Sequence, residues 1–363
     1  MTAAFAVTAG WDLPVGDPSH VYAAVAMADA AVTHAGLSAA DRAACALIAT
    51  ELATNLARYG RDGRLVATAT DPGPAAWVQL AATDHGPGIP DVPAAMADGF
   101  STAHSLGGGL GACQRAAGVF DLFTAAAAGT VVIARTGPGA AVPAGPARVG
   151  GILAARPGER ESGDAWAVTE DAGGLTVAIV DGLGHGPDAA KAAAVSLYTI
   201  TESAGRGQAD PVALLDQLNR RLAGGRGAVA GIARLAGGRL TYSGVGNIGA
   251  RLGAPGTAGP SGLSSDSGLS AASGRRGQSS GLVSSMGTLG LGQRVRPQAA
   301  VTPWHDNSLF AAHSDGIRSS WDVSRYPGVT RHDPAVLATL VWRDAATHDD
   351  DAAVVVLVGG ARP

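Results

Sequence analysis

Glu51 and Asn55 stand four residues apart in ELATNLARYG, a spacing that puts both side chains on one face of a helix. A carboxylate beside an amide can polarise a hydroxyl and complete the oxygen shell of a divalent cation. By itself the pair also reads as a solvated polar face. Asp84-His85-Gly86-Pro87-Gly88-Ile89 follows a strand-like run. There Asp84 can accept a hydrogen bond from an exocyclic amine, and Gly86 and Gly88 let backbone approach a flat base; alone, the segment also reads as a turn. Leu106-Gly107-Gly108-Gly109-Leu110-Gly111 opens a helical segment, where stacked backbone N–H groups and a helix N-terminus suit phosphates. No Gly-Lys-Ser/Thr follows, so it is not a P-loop.

The second half carries a different chemistry. Asp164 precedes a strand-like run, and Asp181-Gly182-Leu183-Gly184-His185-Gly186 ends one. Asp315-Gly316 follows SLFAAH, and Asp349-Asp350-Asp351 precedes AAVVVLV. Any one Asp-Gly pair reads equally as a turn. Together, several carboxylates at one end of a sheet would repel one another, and hard divalent cations with oxygen ligands are the natural compensation. Two such ions about 3.5–4 Å apart can activate water for in-line attack on phosphorus. His185 could protonate a leaving alcohol, hold a water, or simply pack in its loop. The other histidines show no ligand spacing. Neither Cys45 nor Cys113 lies in a phosphate-cradling loop, and both read as core thiols.

These residues need elements to hold them. Ser38 to Arg58 reads as a helix capped by Ser38, with Asp41 in its first turn. Strands are predicted at Leu65–Ala69, Ala76–Thr83 and Thr130–Ala134, with a short helix at about Leu110–Ala117. Beyond them, Ala165–Thr169 and Leu175–Val180 read as strands, and Pro187–Ser203 and Pro211–Leu222 as helices with core-facing apolar stripes. Val229–Leu235 and Arg239–Gly244 form a hairpin around Gly237-Gly238. Ser308–Ala312 and Ala352–Val358 are further strands, with a helix at Pro334–Arg343 between them. Strand pairs outnumber crossover helices in this half, so it is expected to be α+β with largely antiparallel pairing.

The chain of 363 residues has length for two domains. The Pro/Gly/Ala-rich stretch TGPGAAVPAGPARVG marks the seam. The expected division is a first domain at 1–136, a linker at 137–150 and a second domain at 151–363. A Ser/Gly-rich insertion is expected at about 254–285. The net charge of −4, with Lys191 as the single lysine, excludes a strongly basic nucleic-acid binder. No run of about 18 apolar residues could span a membrane. The N-terminus lacks the basic segment of a secretion signal, so a reducing cytoplasmic setting is the expectation.

In order, ELATNLARYG, DHGPGIPD, STAHSLGGGLGACQRAAGVFDL and GTVVIAR resemble the nucleotide-binding boxes of the GHKL ATPase superfamily, most closely the small serine kinases of the RsbT and RsbW type. The resemblance covers about Ala30–Arg135. It implies ATP as ligand, Asn55 as Mg²⁺ ligand and Glu51 as base on a substrate serine. It also implies that Asp84 reads adenine with Gly86 and Gly88, that Gly107, Gly109 and Gly111 cradle phosphates, and that Pro90–Leu106 forms a lid. Ala112 departs from the bulkier residue common there. VAIVDGLGHG, HSDGI and DDDAAVVV resemble the metal-dependent PPM serine/threonine phosphatases, in the compact SpoIIE and RsbX branch, over about Gly151–Val358. This second resemblance implies two Mn²⁺ or Mg²⁺ ions on Asp164, Asp181, Asp315 and Asp350, with the Gly182 carbonyl completing the shell. Ala353 stands where Thr or Ser is frequent.

The fold implied is α+β, a GHKL/Bergerat-type α/β sandwich followed by a PPM-type α-β-β-α sandwich. The function implied is a bifunctional switch that phosphorylates and dephosphorylates a STAS-type antagonist protein in a sigma-factor or stress pathway, with no nucleic acid or membrane as partner. The alternative is a phosphatase regulated by a non-catalytic ATP-binding, partner-docking module.

Overall fold

The computed structural model describes residues 3–97, 109–126, 128–141, 145–159, 161–253, 280–292 and 294–360. Gly107 and most of the expected lid lie outside them, as do residues 254–279 of the Ser/Gly-rich insertion.

Among the described residues, two antiparallel sheets organise the fold. The first lobe contributes β1 (Ala3–Pro14), α1 (His20–Ala35), α2 (Ala39–Tyr59), β2 (Arg64–Thr70) and β3 (Val78–Thr83). Then follow α3 (Val92–Met96), α4 (Gly109–Ala116), β4 (Val119–Ala125) and β5 (Gly129–Thr136). The second lobe begins with β6 (Ala147–Ala154), β7 (Asp164–Asp171), β8 (Gly174–Gly182), α5 (Pro187–Gly205) and α6 (Pro211–Arg221). It continues with β9 (Ala228–Ala236), β10 (Arg239–Val245), β11 (Gly249–Gly253), β12 (Ser280–Leu282) and β13 (Ala300–Pro303). It ends with β14 (Leu309–His313), α7 (Pro334–Ala345) and β15 (Ala352–Gly359).

The strand order is β13-β10-β9-β8-β7-β1-β2-β3-β5-β4 in the large sheet and β12-β11-β14-β15-β6 in the small one. The N-terminal strand therefore joins the lobes. Val7–Pro14 of β1 pairs with β2, and Ala3–Val7 pairs with β7, with a register shift between Val7 and Ala9. A Cβ on Gly10 would lie 2.1 Å from the Leu153 carbonyl oxygen, so only glycine lets β1 cross β6 this closely. Residues 147–150, expected in the linker, are the first half of β6, where they pair with β15. Their run Arg148-Val149-Gly150-Gly151-Ile152 lacks the alternation that signals a strand, because β6 is covered on both faces. Residues 280–282 of the expected insertion likewise pair with β11.

Among the described residues, four cores fill the layers. The helices α1, α2 and α4 cover one face of the β1–β5 region, where Ile48, Leu52 and Cys113 pack with Leu65 of β2 and Leu80 of β3. In the second lobe, Trp166, Val177 and Ile179 of the large sheet pack against Leu153, Phe310, Val355 and Leu357 of the small one. The outer face of the large sheet receives α5 and α6 through Leu197, Ile200, Leu214 and Leu218. The fourth core belongs to α7, whose Val336, Leu337, Leu340 and Val341 meet Ile152, Val354 and Val356 of the small sheet and Val66, Ala81 and Ile133 of the first lobe. A helix apolar on all sides must be buried on all sides, and α7 is the layer shared by both lobes. Ser38 caps α2 in a full capping box with Asp41, and Asp210 and Asp333 cap α6 and α7.

Candidate functional sites

The first site is a cavity of about 630 Å³ between α2, the Asp84–Pro90 loop, α4 and β5. Asn55, Asp84, Gly88, Gly109 and Leu110 line it, with Leu52, Leu56, Ile89 and Val132 supplying apolar walls. Arg58 and Tyr59, at the end of α2, also line it; apart from their helical register with Asn55, no local pattern marks them. Burial raises the Asp84 carboxyl above its usual range, against the opposing hydrogen bond from the Gly86 N–H. That N–H donates to Asp84 Oδ1 at 2.5 Å. Gly88 has φ +80, and a Cβ there would lie 2.9 Å from the Ala125 carbonyl oxygen, so the loop turns tightly under the pocket. Gly111 is buried against the Met96 carbonyl. Glu51 is not part of the cavity wall. It sits close enough to α4 that its charge, after burial, helps push the Cys113 thiol up to about 12. Cys45 is also a buried thiol, pushed up to about 11 chiefly by burial.

The second site is a cavity of about 420 Å³ at one end of the second lobe's sheets. Asp164 opens β7 and Asp181 closes β8, and the two are direct partners in the antiparallel register. Opposed residues place Cβ atoms about 4.5–5.5 Å apart on one face, where like charges repel. Asp315, in the turn after β14, and Asp350, in the turn before β15, line the same cavity. The four aspartates thus arrive from four different elements at one opening.

Burial, then the charge of Asp181, pushes Asp164 well above the carboxylate range. Burial, then Asp315, Asp350 and Asp351, raises Asp181 to about 8. Asp315 is raised by burial and by Asp350. Asp164 is 2% exposed and its Oδ2 has no hydrogen-bond partner, an expensive arrangement for a carboxyl left to itself. Among the described residues no three His, Cys, Asp or Glu side chains already close round a single ion. The set is spread along a cavity from buried Asp164 to exposed Asp315 and Asp350. That spread fits two hard cations, each held by one or two carboxylates with water filling the rest of its shell.

Asp351 behaves differently from its neighbour. Its Oδ1 accepts the Arg156 N–H at 2.8 Å and its Oδ2 the Gly163 N–H at 2.7 Å. Both oxygens are used to tie the loop before β7, although Asp351 also lines the cavity; the exposed Asp350 beside it accepts the Asp351 N–H through Oδ1 at 2.9 Å. Gly182 is buried beside Asp181, with its N–H donated to the Gly163 carbonyl at 2.9 Å, and does not form part of the cavity wall.

Several contributors escaped sequence reading. Ser314 is buried, hydrogen-bonds Asp164 and accepts the Ala353 N–H at 2.9 Å. Asn247 donates to Asp315 Oδ2 at 2.7 Å. Arg156 lines the cavity, and Glu159 accepts His185 Nδ1–H at 2.9 Å at the rim. Asn247 sits in GVGNIG and could have been suspected as a polar residue in a glycine turn; the others have no local signature. Among the described residues no helix is long and apolar enough to cross a membrane.

Residues 15–136 match the histidine kinase-like ATPase domain family. The chain is 36% identical over 98 residues to the serine/threonine-protein kinase RsbT of Bacillus subtilis strain 168, covering 27% of this chain and 73% of RsbT. Among solved structures it is similar to one from the bacterial stressosome, at 28% identity and TM-score 0.48, covering 58% of this chain and 98% of that one. A structure of RsbX in complex with magnesium aligns at 19% identity and TM-score 0.46, over 59% of this chain and 96% of RsbX. The PP2C phosphatase domain of SpoIIE from Bacillus subtilis, with a fragment of its regulatory domain, aligns at 15% identity and TM-score 0.45, over 78% of this chain and 80% of that one. Through residues 15–136, which hold the Asn55–Asp84 cavity, the chain belongs to the histidine kinase-like ATPase domain family.

Proposed function

We propose that the second lobe is a metal-dependent phosphoserine/phosphothreonine phosphatase and that the first is an ATP-binding, serine kinase-like domain. Together they would form a regulator of a bacterial partner-switching pathway, at work in the cytoplasm on a STAS-type protein that answers to a sigma factor. The observation that carries the phosphatase reading is the opposition of Asp164 and Asp181 across one ladder, with an unpartnered buried oxygen and three more aspartates, Asp315, Asp350 and Asp351, on the same cavity.

Asp164, Asp181, Asp315 and Asp350 would hold two Mn²⁺ or Mg²⁺ ions. Bound there, the ions would neutralise the carboxylates, polarise the phosphoryl group and lower the pKa of an attacking water. The chain's own residues supply the rest. Asn247 fixes Asp315, and Ser314 orients Asp164. Arg156 offers guanidinium donors to the equatorial phosphoryl oxygens. His185, oriented by Glu159 at the rim, gives a proton to the departing serine or threonine oxygen, so that phosphate and a free hydroxyl leave.

In the first lobe Asp84 would read the adenine amine of ATP, Asn55 would hold Mg²⁺, and Gly107, Gly109 and Gly111 would cradle phosphates. Glu51 would take the proton from a substrate serine. One observation favours a second reading, a docking module that binds ATP without transferring phosphate: Glu51 lies off the cavity wall. Labelled ATP separates the two readings, with the Asp181→Asn chain to prevent removal of label and a STAS protein as acceptor. Label on the acceptor supports the kinase, and nucleotide binding without transfer supports the docking module. Release of phosphate from a phosphorylated STAS protein, dependent on Mn²⁺ and lost in Asp181→Asn, tests the phosphatase.

A further inference from the structure

The two cavities are joined by the last turn of α7. Arg343 is buried, and its Nη1 donates to the Asp84 carbonyl at 2.9 Å and to the Ala128 carbonyl at 2.8 Å. Asp84 is the carboxylate on the floor of the nucleotide cavity, so Arg343 grips that floor from behind. Asp344, adjacent on α7, accepts from Arg343 Nε at 2.7 Å and pairs with His85 Nε2 at 3.1 Å and with the Tyr326 hydroxyl.

From this grip the chain runs directly into both exposed aspartate turns. The Arg318 N–H donates to the Ala345 carbonyl at 2.9 Å, Ala346 bridges Ile317, and the Thr347 N–H donates to the Gly316 carbonyl at 2.9 Å. These bonds hold Asp315's turn. His348 then takes a left-handed φ of 60 with its ring edge-on to Trp342, 5.2 Å between centroids. For a residue with a Cβ this is an uncommon backbone state, kept where surroundings over-determine it. It sets the direction of Asp349–Asp351. A Cβ on Gly316 would lie 2.1 Å from the Asp351 carbonyl oxygen, so the two aspartate turns pack backbone against backbone at a distance only glycine permits.

We propose that Arg343 is a positioning residue common to both sites, through which a base bound over Asp84 tightens the hold of the aspartate cavity on divalent cations. The inference rests on the two-site reading above. Fixing the Asp84 loop fixes the anchor of α7, so less ordering remains for Asp315 and Asp350 when cations bind. Coupling of this kind is reciprocal, and the cations must tighten base binding by the same factor.

Adenosine is the probe of choice, because it carries the base without phosphates that chelate metal. Mn²⁺ is titrated by calorimetry into the full chain with and without saturating adenosine. The expected result is a Kd for Mn²⁺ about fivefold or more lower with adenosine, and an equal gain for adenosine when Mn²⁺ is saturating. In Arg343→Met both ligands should bind with no change in either Kd on adding the other. Should that variant fail to fold, His85→Ala weakens the same grip from its exposed side and must reduce the factor. Equal Mn²⁺ affinity with and without adenosine, each binding normally, overturns the coupling alone, as does full coupling in the variant that folds. Failure of adenosine or of Mn²⁺ to bind at all overturns the reading of that cavity, and the proposal with it.

Discussion

Asp164 and Asp181 face each other across the β7–β8 ladder, and the deeper of the two keeps an oxygen with no partner. Two carboxylates in that register weaken a sheet unless something positive lies between them. The chain tolerates the repulsion by holding both groups above the usual carboxylate range, and the compensation proposed is a pair of cations.

Asp181→Asn should therefore have opposite effects with and without metal. In EDTA it relieves repulsion, and the variant should be as stable as the parent or more stable by up to about 1 kcal/mol. In Mn²⁺ at about a hundred times Kd the parent should gain about 2.7 kcal/mol and the variant much less. Thermal melts of both proteins in each condition measure this; a variant that gains as much as the parent would remove Asp181 from the cation site.

Asp350 and Asp351 should separate by phenotype. Asp350→Asn should fold normally and lose about a hundredfold or more of its Mn²⁺-dependent phosphatase activity. Asp351→Ala frees the buried N–H of Gly163 and the half-buried N–H of Arg156, and should cost about 2–4 kcal/mol of stability. Urea unfolding of the two variants, beside phosphatase assays, distinguishes them. Loss of stability in Asp350→Asn with activity retained would exchange the two roles.

Asp84→Ala should weaken ADP about tenfold or more, since a base amine would lose its acceptor inside an apolar cavity. The Asn55→Ala change should weaken ADP only when Mg²⁺ is present. Calorimetry with and without Mg²⁺ reads both, and equal losses in the two conditions for Asn55→Ala would deny it a cation role.

The fold's main lines were legible where pattern and cap agree. Ser38 with Asp41 announces α2, and Gly237-Gly238 announces the β9–β10 hairpin, where both glycines take positive φ. Asp164, Asp181, Asp315 and Asp350 could be chosen because each abuts a strand end. The union of the lobes was not legible. The strand β1 divides its pairing between β2 and β7, which no local period records, and the Gly-rich start of β6 looks like linker because it is buried on both faces. Likewise, in the sequence Arg343 is only the last residue of the helix expected at Pro334–Arg343, and tertiary packing alone shows that it grips the Asp84 and Ala128 carbonyls. Glu51 follows the expected helical spacing from Asn55, yet that spacing does not determine which residue reaches the cavity.

The interface around α7 should leave a trace in acid. Burial works to raise Asp344, but hydrogen bonds from Arg343, Tyr326 and His85 outweigh it and hold the carboxyl down to about 2. A depressed carboxyl stabilises the folded chain above its unfolded pKa of about 3.9, and the contribution fades as pH falls through the folded value. The stability difference between the parent and Asp344→Asn should be constant above pH 5 and should shrink by about 2 kcal/mol between pH 4 and pH 2. Chemical unfolding across that range measures it; a difference independent of pH would mean that the Asp344 charge does not hold the interface.

The cation pair should be visible in the anomalous difference map of a crystal of this protein grown with Mn²⁺. Two peaks about 3.5–4 Å apart are expected within the cavity of Asp164, Asp181, Asp315 and Asp350, and both should be lost or much weakened in an Asp181→Asn crystal. Mn²⁺ bound only elsewhere, with the four carboxylates unchanged around ordinary water, would contradict it.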